Sequence, residues 1–168
     1  MDELFRLLVQ FLHVLSGILW IGGGLYTLFV QTPALLAVPG PARGAALAQI
    51  APRQVSYLLR LGEITIATGV LNVFASGKAG LLQSLGTSRW AIAIVFGAAL
   101  AIVLLGLGHA VIKPSIEKLL ALGPRAASGD PAASFEVPIV LERLKRVGQA
   151  QIVLGLAIIA AMVTARLS

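Results

Sequence analysis

Four side chains that can carry a proton or bind a metal ion fall inside long apolar stretches of this sequence. They are His13, Arg60, Glu63 and His109. An ionisable side chain inside a membrane costs about 2.5 to 3.5 kcal/mol on insertion scales, so such residues mark functional sites by default. The chain has only two histidines, and both belong to this set. The pattern indicates metal or proton chemistry among membrane-spanning helices.

His13 lies on a helical stripe whose other members are small, polar or aromatic: Ser16, Gly17, Trp20, Gly24 and Thr27. A stripe of this kind faces the interior of a helix bundle. One interpretation is a neutral histidine that forms a hydrogen bond between helices. The other is an axial ligand of haem b, because imidazole binds iron and helix bundles can enclose haem.

The haem interpretation assigns the metal to His13 and His109, with Trp20 packed against the porphyrin and Arg60 facing a propionate. On straight helices the two histidines differ in depth by about 10–16 Å. Three arrangements therefore stay open: one centre shared by both histidines, two separate centres, or one haem held by a single histidine and another group.

Arg60 and Glu63 are three residues apart and share a helix face. They form an internal salt bridge, or Arg60 faces an anionic group while Glu63 relays a proton or holds a cation. Depth along the helices predicts an inner polar cluster of Tyr26, Arg60, Glu63, His109 and Gln151. It also predicts an outer group of Gln10, His13, Ser16 and Asn72.

The elements that must position these residues are apolar helices. The chain has 168 residues, of which 58% are hydrophobic and 12% charged. A helix needs about 20 apolar residues to cross a bilayer. Four stretches suffice: about 5–30, 55–74, 90–112 and 147–165. We predict an all-α fold, an integral membrane four-helix transmembrane bundle, with residues 1–168 as a single domain and the first helix retained.

The connections carry an uneven charge. The segments 31–54 and 113–146 hold eight Lys and Arg residues, against four near the termini and the 75–89 turn. The positive-inside rule places these two segments in the cytoplasm as loops, and both termini outside a bacterial-type inner membrane. Proline at position 33 predicts that the first helix ends by Thr32. The small polar segment 123–134 predicts a mobile loop.

Composition excludes several classes of function. The chain has no cysteine, so disulfides and thiolate metal sites are excluded. Its net charge of +6 is distributed without basic runs that contain aromatic residues, and we therefore predict no nucleic-acid binding. Copper prefers soft sulfur ligands, and the methionines are only Met1 and Met162. The sequence therefore favours copper less than iron as the metal.

Residues 12–30, LHVLSGILWIGGGLYTLFV, resemble the first helix of two membrane protein families. These are the copper-resistance D type and the bacterial protoporphyrinogen oxidases of the HemJ type. The resemblance implies that His13 is the haem-binding histidine and that Trp20 begins a Trp-x-Gly step. The oxidases also have a lysine early in the third helix, whereas residues 89–97 here read RWAIAIVFG. The resemblance therefore implies haem binding rather than protoporphyrinogen oxidation.

The sequence thus predicts a b-type haem protein of electron transfer or haem-dependent oxidoreduction. Its expected partners are the lipid bilayer, a quinone or cytochrome, and a homo-oligomer or larger membrane complex. Two alternatives stay open. One is a cofactor-free structural or assembly subunit of a respiratory complex, and the other is a copper or small-solute permease.

Overall fold

The computed structural model describes residues 3–168, apart from the side chains of residues 41 and 81. Six α-helices follow one another within the described residues: α1 Glu3–Tyr26, α2 Thr32–Leu36, α3 Gly40–Ala75, α4 Arg89–Leu107, α5 Lys113–Ala127 and α6 Pro131–Leu167. Five-residue π-helical segments, Thr27–Gln31 and Gly108–Ile112, join α1 to α2 and α4 to α5. A short 3₁₀ helix, Ala79–Ser84, lies in the turn before α4. The predicted all-α fold is confirmed.

Four continuous helical stretches are long and apolar enough to cross a membrane. They are Glu3–Leu36, Ala42–Ala75, Arg89–Ala127 and Pro131–Leu167. Each contains one of the stretches predicted from the sequence and extends beyond it. The count of four candidate spans is therefore confirmed.

The segments that connect the predicted spans, 31–54 and 113–146, are mostly helical. The predicted end of the first helix at Thr32 is wrong. Each π-helical segment is followed two residues later by a proline, Pro33 or Pro114. Both prolines lie in the first turn of the next helix, where a missing N–H and a fixed φ angle are tolerated. The helix therefore continues through each proline after a local change of register.

The predicted mobile loop at 123–134 is also wrong, because a capped turn connects α5 to α6. Gly129 supplies the positive φ angle of the turn. The Asp130 side chain accepts hydrogen bonds from the N–H groups of Ala132 and Ala133 at 2.9 and 3.2 Å, and Arg125 donates to its other oxygen at 2.7 Å. Leu122 and Val140 pack in an apolar cluster below the turn.

The helices pack as two antiparallel pairs. α1 packs mainly against α3, and α4 packs mainly against α6. The pairs meet in an apolar core built from all four of these helices: Trp20, Leu61, Ala101, Leu104 and Ile158. Side chains from both pairs therefore fill the middle of the bundle.

Candidate functional site

Polar and glycine residues line the contact between α1 and α3, which we call the α1–α3 seam. Gln10 accepts a hydrogen bond from Asn72 at 2.7 Å, and the Thr65 hydroxyl donates to the Ser16 hydroxyl at 2.9 Å. The predicted outer group of Gln10, His13, Ser16 and Asn72 is therefore confirmed as a set on one helix contact. Thr65 is a further member that sequence reasoning missed.

Two glycines of α3 receive the large rings of α1. A Cβ atom placed on Gly69 would lie 2.9 Å from Cε1 of His13, and one placed on Gly62 would lie 2.7 Å from Cε2 of Trp20. Each ring therefore lies directly on helix backbone. Along α1, His13 comes seven residues before Trp20, whereas along α3 its partner Gly69 comes seven residues after Gly62. Antiparallel helices require this reversed order.

The His13 ring has a defined orientation. Its Nδ1 lies 2.9 Å from the Thr65 carbonyl oxygen. A carbonyl oxygen can only accept a hydrogen bond, so Nδ1 carries a proton, and in the tautomer with a single proton Nε2 keeps its lone pair. No hydrogen bond to Nε2 is present within residues 3–168. Metal-ligating histidines are commonly oriented by the same type of Nδ1–H bond.

His109 contacts a different partner. Its Nε2 lies 3.0 Å from Oε1 of Glu63, and the two side chains are 46% and 52% exposed. The pair joins the π-helical segment Gly108–Ile112 to the middle of α3. An acid and a base thus meet on the outside of the bundle within two candidate spans.

The salt bridge predicted between Arg60 and Glu63 is absent, because Glu63 contacts His109 instead. Arg60 is exposed and forms no ion pair or hydrogen bond with any described residue. It lies three residues before Glu63, about 4.5 Å along the α3 axis. The prediction from spacing fails because a third group, on another helix, competes for the carboxylate.

The four residues predicted to hold a haem fall into two separate groups. His13 and Trp20 lie on the α1–α3 seam, whereas His109 contacts Glu63 elsewhere on α3. Counting residues along α3 places Glu63 and Gly69, which contacts the His13 ring, about 9 Å apart along the helix axis and roughly 120° apart around it. The two histidines therefore do not converge on one iron.

The surroundings also restrict a haem. At the level of Trp20 the core is filled by side chains. Groups of three or more His, Cys, Asp or Glu residues placed to hold a metal ion do not occur among the described residues. The residues present do not fit a single haem ligated by both histidines. At most, they provide one ligand nitrogen for iron, the Nε2 of His13.

The remaining predicted members of the inner cluster stay apart. Tyr26 is exposed at the end of α1. Gln151 donates a long hydrogen bond of 3.5 Å to the Leu104 carbonyl. Neither contacts Glu63 or His109 through a hydrogen bond. The inner cluster of five thus reduces to one contact, Glu63 with His109, and nearby Arg60.

Sequence reasoning missed a polar network at the end of the α1–α3 seam that includes Gln31 and Gln54. Gln31 and Gln54 exchange two side-chain hydrogen bonds of 2.8 and 2.6 Å, and Gln54 also donates to Thr27 at 2.7 Å. The available signal was the helical stripe of His13, which includes Thr27 and continues to Gln31. This network satisfies polar groups where α1 becomes π-helical.

Comparisons of the chain with protein-family models, with curated proteins and with solved structures found no match. The resemblance of residues 12–30 to the two membrane families therefore stays a prediction.

Proposed function

We propose that this chain is a four-helix membrane protein that exchanges a proton with a small anionic solute at the Glu63–His109 pair. The observation that carries the proposal is the 3.0 Å contact between an imidazole nitrogen and a carboxylate oxygen on two different apolar helices. Acid and imidazole groups at such depths form the proton relays of pumps and transporters.

The geometry supports proton exchange in two ways. A carboxylate and an imidazole in hydrogen-bond contact can pass a proton without a bridging group. Both side chains are about half exposed, so the bundle itself does not enclose them. Glu63 lies nine residues from Gln54 on α3, about 14 Å along the axis, which places it well inside the predicted span.

The Arg60 side chain indicates which class of solute this site favours. Its guanidinium has no carboxylate partner among the described residues and lies one helical turn from Glu63. An unpaired cation in a medium of low dielectric attracts an anion, and guanidinium matches carboxylate and phosphate groups in shape. A small protonatable anion is therefore the solute that this surface favours. The function corresponds to the small-solute permease among the alternatives from sequence.

The test is proton flux in vesicles that contain the purified protein. A trapped pH dye reports proton entry when a panel of small carboxylates and inorganic phosphate is added outside. We expect solute-dependent flux that falls at least about tenfold in Glu63→Gln, which keeps the shape and removes the proton site. Glu117→Gln is the matched control, because Glu117 is an exposed residue of α5 outside the predicted spans. Equal flux in the wild type and Glu63→Gln would contradict the proposal.

A second candidate function, the b-type haem protein, is favoured by the orientation of His13. The Nδ1–H bond to the Thr65 carbonyl leaves Nε2 available to bind iron. A bound haem would supply one-electron transfer, with His13 as its histidine ligand. The α1–α3 seam would orient the ring, while His109 would take no part.

An absorption spectrum of the purified, haem-supplemented protein tests this candidate. A haem protein ligated by His13 should show a Soret band, with sharp α and β bands on reduction. These bands should be lost in His13→Ala and retained in His109→Ala. A colourless wild-type protein, or equal loss in the two variants, would contradict it. The flux measurement above is independent of this result.

A further inference from the structure

An exposed stripe runs the whole length of α6, and we call it the α6 stripe. Its members are separated alternately by four and three residues: Phe135, Ile139, Glu142, Arg146, Gln149, Val153, Leu156, Ala160, Val163 and Leu167. All ten are exposed. An alternation of four and three over more than four heptads is the spacing by which one helix packs along another.

The α6 stripe lies opposite the face by which α6 joins its own bundle. The buried residues of α6 include Val140, Gly155, Ile158 and Ala161. Helical geometry places their common direction roughly 160° from that of the stripe. The stripe is therefore available to a second helix without disturbing the bundle.

Lipid alone does not account for the α6 stripe. Phe135 and Ile139 are 72% and 54% exposed, and they precede the predicted span, which begins at Val147, by twelve and eight residues. These distances correspond to about 18 and 12 Å along the helix, beyond the hydrocarbon. Glu142 and Arg146 lie in the same stripe. A single occupant that covers both halves must be apolar at its ends and charged between them.

We propose that this occupant is a second copy of the chain, packed in parallel along α6 about a two-fold axis normal to the membrane. Copies inserted by the same charge rule share one orientation, and a two-fold interface uses the same patch twice. The charges suit self-association, since Glu142 and Arg146 form a 3.1 Å pair within one helix and can pair equally across the axis. Gln149 supplies an amide at the next layer, where interhelical hydrogen bonds stabilise membrane helix pairs.

A surface depression supports the same location. A shallow, open groove on the surface of α6 is lined by Ile139, Glu142 and Arg146 of the α6 stripe, together with Pro138, Arg143 and Val147. Side chains of a partner helix enter such depressions when two helices pack. The groove marks the junction between the predicted cytoplasmic and membrane parts of α6. The inference is independent of the proposed proton exchange.

Disulfide crosslinking in membranes tests the dimer directly, because the chain has no cysteine of its own. Ile139→Cys and Val153→Cys sample the two halves of the α6 stripe. Leu36→Cys and Ile102→Cys are matched controls at exposed apolar positions outside the predicted hydrocarbon and within it. On mild oxidation we expect the stripe variants to form at least about tenfold more covalent dimer than the controls.

A charge test separates a specific interface from collision. In the Ile139→Cys background, Arg146→Glu places four like charges together and is expected to reduce the dimer yield severalfold. The further change Glu142→Arg restores complementarity and is expected to restore the yield. Dimer yields at the stripe no greater than at the controls, or the same yield in all charge variants, would overturn the proposal. A monomeric mass for the wild type in mild detergent and in lipid nanodiscs would do so as well.

Discussion

The contact between Trp20 and Gly62 predicts that adding one methyl group at Gly62 destabilises the bundle. In Gly62→Ala, the new methyl group would lie 2.7 and 2.8 Å from two atoms of the Trp20 ring and 3.0 Å from Leu105. The ring cannot move away easily, because Trp20 is part of the filled core. Either α1 separates from α3 or the core rearranges.

The magnitude follows from two opposing effects. Overpacking a well-filled core costs about 1–3 kcal/mol, whereas replacing glycine by alanine within a helix gains up to about 1 kcal/mol. Gly22→Ala is the matched control, since a Cβ there meets no atom within 4 Å. Both variants gain the same helix propensity. The difference between them should therefore equal the overpacking cost, about 1–3 kcal/mol.

The assay is reversible unfolding in mixed micelles of increasing denaturing detergent, followed by far-ultraviolet circular dichroism. We expect the midpoint of Gly62→Ala to fall below that of the wild type and the midpoint of Gly22→Ala to stay level or rise. Identical midpoints in the two variants would refute the register of the α1–α3 seam, because this register alone places Trp20 on Gly62.

Two further predictions concern single side chains. In Gly69→Ala, the methyl group displaces the His13 ring, so nitrogen NMR of labelled histidine should show loss of the fixed Nδ1–H form. An unchanged spectrum would contradict the close contact between the His13 ring and Gly69. At the α5–α6 turn, hydrogen bonds from Arg125 and from the backbone at the start of α6 hold the pKa of Asp130 below its ordinary value of 3.8. The stabilisation by ionised Asp130 is therefore complete above pH 3.8 and is lost as the pH falls through the lowered pKa. Helix content of the wild type should fall over this acidic range more than that of Asp130→Asn, and parallel curves would contradict the cap.

The sequence predicts the helical class and the number of candidate spans because apolar length is a local property. It also predicts the group around His13, since residues on one stripe of a helix must share a neighbour. Gln10, His13 and Ser16 all contact α3 for this reason. The identity of the α3 partner Thr65 depends on the register between two helices, which spacing within one helix does not contain.

Depth along the helices places Glu63 and His109 in one predicted cluster, and the structure brings these two together. Which member of that cluster contacts Glu63 could not be predicted, for the same reason. Spacing brings Arg60 near Glu63 on α3, but the rotation of α4 decides which group reaches the carboxylate. The π-helical segment Gly108–Ile112 changes that rotation at His109 itself. Proline likewise misled the predicted end of the first helix, because Pro33 follows a π-helical segment and occupies a first-turn position.

The most direct test of the central claim is infrared difference spectroscopy of the protein in bilayers after a pH jump. Proton exchange at the Glu63–His109 pair predicts a carboxyl stretching band that disappears in Glu63→Gln, shifts in His109→Gln and stays unchanged in Glu117→Gln. A difference spectrum that is the same in the wild type and Glu63→Gln would contradict the claim that this carboxylate takes up and releases a proton.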